Sequence, residues 1–133
     1  VDAGDLPQDV NDAAGNRARI FGAVSQILDR GGVPLLIGGD DSLPIPMLEA
    51  YGARGRDYTV LQIDAHIDWR DEVQGERLGL SSTMRRASEM EHVAAIIQVG
   101  QRGIGSARVQ DVADAEDWGV GFVPAGEVAR YGL

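Results

Sequence analysis

The chain has 133 residues, with 12 Arg, 21 Asp or Glu, two His and neither Lys nor Cys, for a formal net charge of −9. The length suits one small domain, the opening residues carry no signal-peptide pattern, and no apolar stretch nears the roughly 20 residues that span a bilayer. Without lysine and cysteine there is no Schiff-base or thiolate chemistry, and the acidic balance argues against a nucleic-acid partner; carboxylates, imidazole and hydroxyls remain, a set suited to a hard metal ion.

Residues 12–30 predict an amphipathic helix, because Ile20, Val24, Ile27 and Leu28 recur at three- and four-residue spacing and Gly31-Gly32 supplies the stop. The short apolar run 33–37 predicts a buried strand. Gly38-Gly39-Asp40-Asp41-Ser42 follows, then a helix over Pro44–Tyr51 opened by proline. Tyr58–Ile63 predicts a second buried strand that runs directly into Asp64-Ala65-His66-Ile67-Asp68. Residues 69–83 read as loop, 84–90 as a short helix, and 94–99 as a third buried strand ending at Gly100. Ser106 is a candidate cap for a helix reaching Trp118. Residues 121–124 predict a fourth strand, and Gly126-Glu127 opens a further segment.

Apolar runs alternating with amphipathic helices predict an α/β fold with a mainly parallel sheet. The polar clusters that begin at Gly38, Asp64 and Gly100 each follow a predicted strand. In a parallel sheet they gather at the carboxyl edge, where open α/β sheets bind ligands.

The densest chemistry lies in Asp64-Ala65-His66-Ile67-Asp68. If the backbone stays extended, Asp64, His66 and Asp68 point to one side and converge. Two carboxylates and an imidazole suit a hard or borderline divalent cation such as Mn²⁺; the alternative is that Asp64 caps a turn and His66 packs in the core. Asp40, Asp41 and Ser42 can likewise be read as N-cap residues of the next helix.

The two clusters, in this order and about 20 residues apart, resemble the arginase/agmatinase (ureohydrolase) family. Its pattern is G-G-D-H-S, then a strand, then D-A-H-x-D, and later S-x-D-x-D-x-x-D-P. Gln98-Val99-Gly100-Gln101-Arg102 is similar to the family's strand-end Q-x-G-x-R. The resemblance implies a three-layer α/β/α fold, of which residues 1–133 form the central part of a single domain. It also implies a hydrolase with two Mn²⁺ per active site, sharing a bridging hydroxide that attacks a guanidinium carbon and releases urea. Carried onto this chain, Asp64 would bridge both metals. Asp68 would join the metal at the position of Asp41 and hydrogen-bond the hydroxide as the catalytic residue, and His66 would bind the other metal.

Three departures stand out. The family's His in G-G-D-H-S is Asp41 here, which keeps a donor but adds negative charge. The family's H-G-T, whose His lies near the substrate, reads Ser81-Ser82-Thr83, leaving Ser81 as the substrate-binding candidate. The S-x-D-x-D-x-x-D-P segment is missing, and the expectation is that its ligands lie beyond Leu133, so that these residues alone are inactive. The substrate class implied is a small guanidino compound such as agmatine, with no nucleic-acid or membrane partner, a homo-oligomer (trimer or hexamer) and a cytoplasmic location. Two alternatives stay open: a non-catalytic metal-binding homologue, and a hydrolase of a related amidine or amide. His92 reads as structural, and Asp111, Asp114 and Asp117 as a solvated helix face. Arg85 and Arg86, at the start of the predicted helix, call for carboxylate partners, with a subunit contact one place to find them.

Overall fold

A computed structural model describes residues 2–132 apart from Ile104 and Ser106, so the cap expected at Ser106 lies outside the described residues. Helix α1 (Ala13–Asp29) starts where Asp12 Oδ1 accepts from the Gly15 N–H at 2.8 Å, which satisfies one of the donors left free at a helix start. It stops at Arg30, ahead of Gly31 with φ +74°. Ile20 and Val24 on its inner face pack against Ala50, Met47 and Tyr51 of helix α2 (Pro44–Tyr51). Proline opens α2, where a missing N–H is harmless.

The strand expected at 33–37 does not form. Val33, Leu35 and Ile37 are 89%, 84% and 85% exposed, while Pro34 is buried and Leu36 rests against the α1–α2 cluster. A strand exists through its ladder partner, and no described residue pairs with this segment. The alternation of buried and bare side chains is that of a segment seated by one side only.

The sheet is parallel, in the order β1 (Tyr58–Ile63), β2 (Val93–Val99), β3 (Gly121–Val123). The β1–β2 crossover contains α3 (Thr83–Ser88), and the β2–β3 crossover contains α4 (Val109–Trp118); α5 (Ala125–Tyr131) follows β3. The register puts Val60 beside Ile96, and Gln98 between Gln62 and Phe122. Val60, Ile96 and Phe122 pack with Met84, Ala87, Ala115 and Trp118 into the main core. On the opposite face Leu61 and Ile63 remain 62% and 73% exposed. Among the described residues the outer edge of β1 has no partner.

Three expectations about charged residues are resolved by this packing. His92 is structural: its Nε2 lies 2.9 Å from the Leu48 carbonyl oxygen and its ring stands edge-on to Tyr58. Because α3 ends at Ser88, Arg85 and Arg86 occupy its last turn, where cations are favoured. Their partners are within the chain: buried Arg86 donates to Asp71 at 2.6 Å and pairs with Glu89 at 3.1 Å, and Arg85 pairs with Glu89 at 3.3 Å. Asp111 is not solvated. It is buried at the first turn of α4, accepts from the Arg108 N–H at 3.0 Å and pairs with Arg70 Nε at 3.2 Å. Asp117 does face solvent.

Ile96 is fully buried at the centre of β2. Ile96→Ala is expected to destabilise the fold by about 2–5 kcal/mol, whereas Val109→Ala at an exposed position should change stability by no more than about 0.5 kcal/mol. Urea unfolding of both variants checks the contrast.

Candidate metal centre

Each loop at the carboxyl edge of the sheet is shaped by a local device. Gly38 and Gly39 have φ of +121° and +64°, and a Cβ on Gly39 would stand 2.7 Å from Leu43 Cδ1; the turn needs glycine there. Asp40 Oδ1 accepts from the Ser42 N–H at 2.9 Å, so Asp40 serves the turn and Asp41 is left for the site. The Asp41 carbonyl accepts a hydrogen bond from Thr83 Oγ1, which ties this turn to the start of α3.

After β1 the chain does not stay extended. Asp64 Oδ1 accepts from the His66 N–H at 2.7 Å, a short-range bond that folds the backbone into a turn. Asp68 then sits at φ +47°, a left-handed conformation that is uncommon for a residue with a side chain. The i, i+2, i+4 expectation is therefore corrected in its cause: Asp64 and Asp68 converge through a turn, not through strand alternation. The Q-V-G-Q-R segment clamps this turn. The Asp64 N–H donates to Val99 O and the Arg102 N–H to Ala65 O, both at 3.0 Å. Gly100, at φ +99°, lies so near that a Cβ would stand 3.2 Å from Asp64 O.

The result is a cluster. Carboxylate oxygens of Asp41, Asp64 and Asp68 lie within 4.8 Å of one another. His66 is not part of it: its side chain is 60% exposed, with Nδ1 at 3.1 Å from Asp64 Oδ1. Ser81 lines a cavity of about 160 Å³ beside Asp68, His66, Trp69, Arg70 and Asp111. The site also holds residues that sequence reasoning missed. Gln62 Nε2 donates to Asp68 Oδ2 at 2.6 Å; a polar residue inside the apolar run 58–63 was the available signal. The Arg70–Asp111 pair joins positions far apart in sequence and left no such signal.

Burial and the neighbouring acids push the Asp41 carboxyl up to about 7: burial contributes most, then the hydrogen bond to Asp68 and the charges of Asp68, Asp64 and Asp40. Burial raises Asp68 as well, while its bonds with Asp41 and Gln62 pull it back down. Asp41 Oδ2 is buried and has no hydrogen-bond partner. Hard oxygen donors, held close, mutually repelling and partly unpartnered, fit a hard divalent cation.

The family model described as the arginase family matches residues 1–133. The chain belongs to the arginase family. It is similar to the agmatinase of Bacillus anthracis, 33% identical over 89 residues that make up 67% of this chain and 31% of that protein. It is similar to the guanidinobutyrase of Pseudomonas aeruginosa, 31% identical over 106 residues, 73% of this chain and 33% of that protein. Among solved structures, the formimidoylglutamase of Bacillus subtilis superposes with a TM-score of 0.88 at 26% identity, over 99% of this chain and 42% of that one. The parallel α/β sheet is thus part of the arginase-family domain. The chain spans about a third of the length of the curated relatives it matches.

An acid whose folded-state pKa is raised binds a proton that the unfolded chain has already lost between its ordinary 3.8 and about 7. Folding therefore loses stability as pH rises through that window. Without metal, the melting temperature is expected to fall from pH 5 to pH 8. A divalent cation such as Mn²⁺ would compete with that proton, so its affinity is expected to rise as pH passes about 7, and at pH 8 the cation is expected to restore the melting temperature. Thermal unfolding with EDTA or Mn²⁺ across this range is the measurement; a flat metal-free profile would exclude the protonated Asp41.

Proposed function

We propose that the whole protein is a manganese-dependent hydrolase that cleaves the guanidino group of a small substrate, agmatine or a related guanidino compound, and releases urea. The observation that carries this reading is the convergence of Asp41, Asp64 and Asp68 at the carboxyl edge of the sheet, where Asp68 also lines a cavity. Membership of the arginase family, with agmatinase and guanidinobutyrase among the relatives, supports the substrate class.

On this reading Asp41, Asp64 and Asp68 would hold the metal pair, with His66, outside the cluster but with its ring beside Asp64, and donors elsewhere in the whole protein as further ligands. Two Mn²⁺ bound there would supply Lewis acidity and a water made acidic near neutral pH. Asp68 has one oxygen committed to Gln62, which fixes its carboxylate plane. Its remaining acceptor capacity orients the attacking water, the role of a catalytic residue. The Ser81 hydroxyl, on the cavity wall beside Asp68, would hydrogen-bond the substrate. Trp69, only 2% exposed, helps to keep bulk water out of the floor.

A related amidine substrate is the second reading, favoured by the similarity to formimidoylglutamase over 99% of this chain. A panel separates the two: agmatine, 4-guanidinobutyrate and arginine are assayed for urea, and formimidoylglutamate for formamide, all with Mn²⁺. Manganese-dependent urea release from at least one guanidino compound is expected. Asp64→Asn and Asp68→Asn should each reduce it by more than about 100-fold, beyond the loss typical of an outer-shell change. Formamide alone would favour the amidine reading. Stoichiometric metal with no product from any compound would leave a non-catalytic homologue, in keeping with Asp41 standing where the family has imidazole.

A further inference from the structure

Gln62 and Gln98 are paired across the β1–β2 ladder on the face that builds the main core. Positions on that face call for apolar side chains, and Val60 and Ile96 one step earlier on the same strands obey. Gln62 is only 9% exposed and Gln98 is fully buried. A buried amide is unfavourable unless its hydrogen bonds are made, so what these two amides bind decides why they are there.

Their bonds run in one direction. Gln98 Nε2 donates to the Ile67 carbonyl oxygen at 2.8 Å and also to Gln62 Oε1. Gln62 Nε2 then donates to Asp68 Oδ2 at 2.6 Å. A backbone carbonyl can only accept, so it forces Gln98 to present its NH₂ group. That choice turns the oxygen of Gln62 toward Gln98 and the NH₂ of Gln62 toward Asp68. Reversing either amide would set oxygen against oxygen. Gln98 Oε1 is left buried without a partner, a cost accepted on one side of the relay so that its far end is always a donor. The starting point, Ile67 O, is the carbonyl next to Asp68 in the chain. The relay therefore closes a loop around the residue that sits in the left-handed conformation.

We infer that Gln62 and Gln98 are positioning residues for the metal centre: the amide relay from Ile67 O fixes the plane of the Asp68 carboxylate and keeps its Oδ2 an acceptor, so that metal binding needs no reorientation of this ligand. The inference rests on the metal-binding reading of the carboxylate cluster and goes beyond it in naming what holds Asp68 ready.

The test is Mn²⁺ affinity of the whole protein, by calorimetry and by electron paramagnetic resonance of the free ion, read beside the melting temperature of the metal-free form. Methionine has nearly the length and volume of glutamine but no amide. Gln62→Met is expected to weaken Mn²⁺ binding by about 10–100-fold, and Gln98→Met by a smaller factor in the same direction. The double variant should bind no more weakly than Gln62→Met alone, because both act through one bond to Asp68. Ile96→Val, on the same ladder, should lower the melting temperature and leave affinity unchanged. Unchanged affinity in Gln62→Met, or losses that add in the double variant, would overturn the relay. If Gln62→Met fails to fold, Gln98→Met decides by the same criterion of a weakened or unchanged affinity. Failure of the unsubstituted protein to bind Mn²⁺ would instead overturn the metal assignment itself.

Discussion

Negative charges brought together repel, and at Asp41, Asp64 and Asp68 the fold opposes that repulsion with backbone geometry fixed before any cation arrives. Each carboxylate is delivered by a device that would be wasteful elsewhere. A pair of left-handed glycines delivers Asp41, a side-chain-to-backbone turn delivers Asp64, and a left-handed non-glycine residue delivers Asp68. The strain and the raised Asp41 pKa are two aspects of one constraint. Strained residues of this kind persist where the surroundings over-determine them, and here the surroundings are the clamp from Gly100 to Arg102 and the buried amides.

Around the cluster, ion pairs hold the loop between β1 and α3. Arg70 leaves the metal motif and meets Asp111 at the head of α4; Asp71, the next residue, is gripped by buried Arg86, whose guanidinium holds the Asp71 carboxyl below its ordinary range. Exposed pairs such as Arg77 with Asp71 contribute little by themselves. Arg86 is different, because a buried guanidinium stripped of its acid would be left unpaired. Successive residues, Arg70 and Asp71, are thus anchored to two different helices, which fixes the wall on which Ser81 stands.

Much of this was legible in the residues. Helical spacing marked α1, apolar runs marked β1 and β2, and the acidic cluster after β1 marked the carboxyl edge. What was not legible depended on distant partners. The run 33–37 has the composition of a buried strand, but composition cannot say whether a neighbour is present to complete the ladder. Asp111, Asp114 and Asp117 share a spacing that suits an exposed helix face, yet Asp111 is buried through Arg70, 41 residues earlier in the chain. The extended reading of residues 64–68 failed for a local reason: Asp64 captured the N–H of His66 and bent the chain. Convergence of Asp64 and Asp68 was right and its route was wrong. The buried glutamines were visible as breaks in apolar runs, but their direction of bonding is a property of three strand and turn positions together.

The uncovered sheet face carries a consequence for handling the molecule. Leu61 and Ile63 lie bare beside the edge of β1 that no described residue pairs with, and Val33, Leu35 and Ile37 are further exposed apolar side chains. A row of unsatisfied N–H and C=O groups flanked by bare aliphatic side chains is a template for strand addition. Prepared as these residues alone, the polypeptide would recruit further copies of itself edge to edge, and turbidity would rise with concentration. Its net charge of −9 would slow that assembly at low ionic strength, and added salt, by screening the charge, would release it.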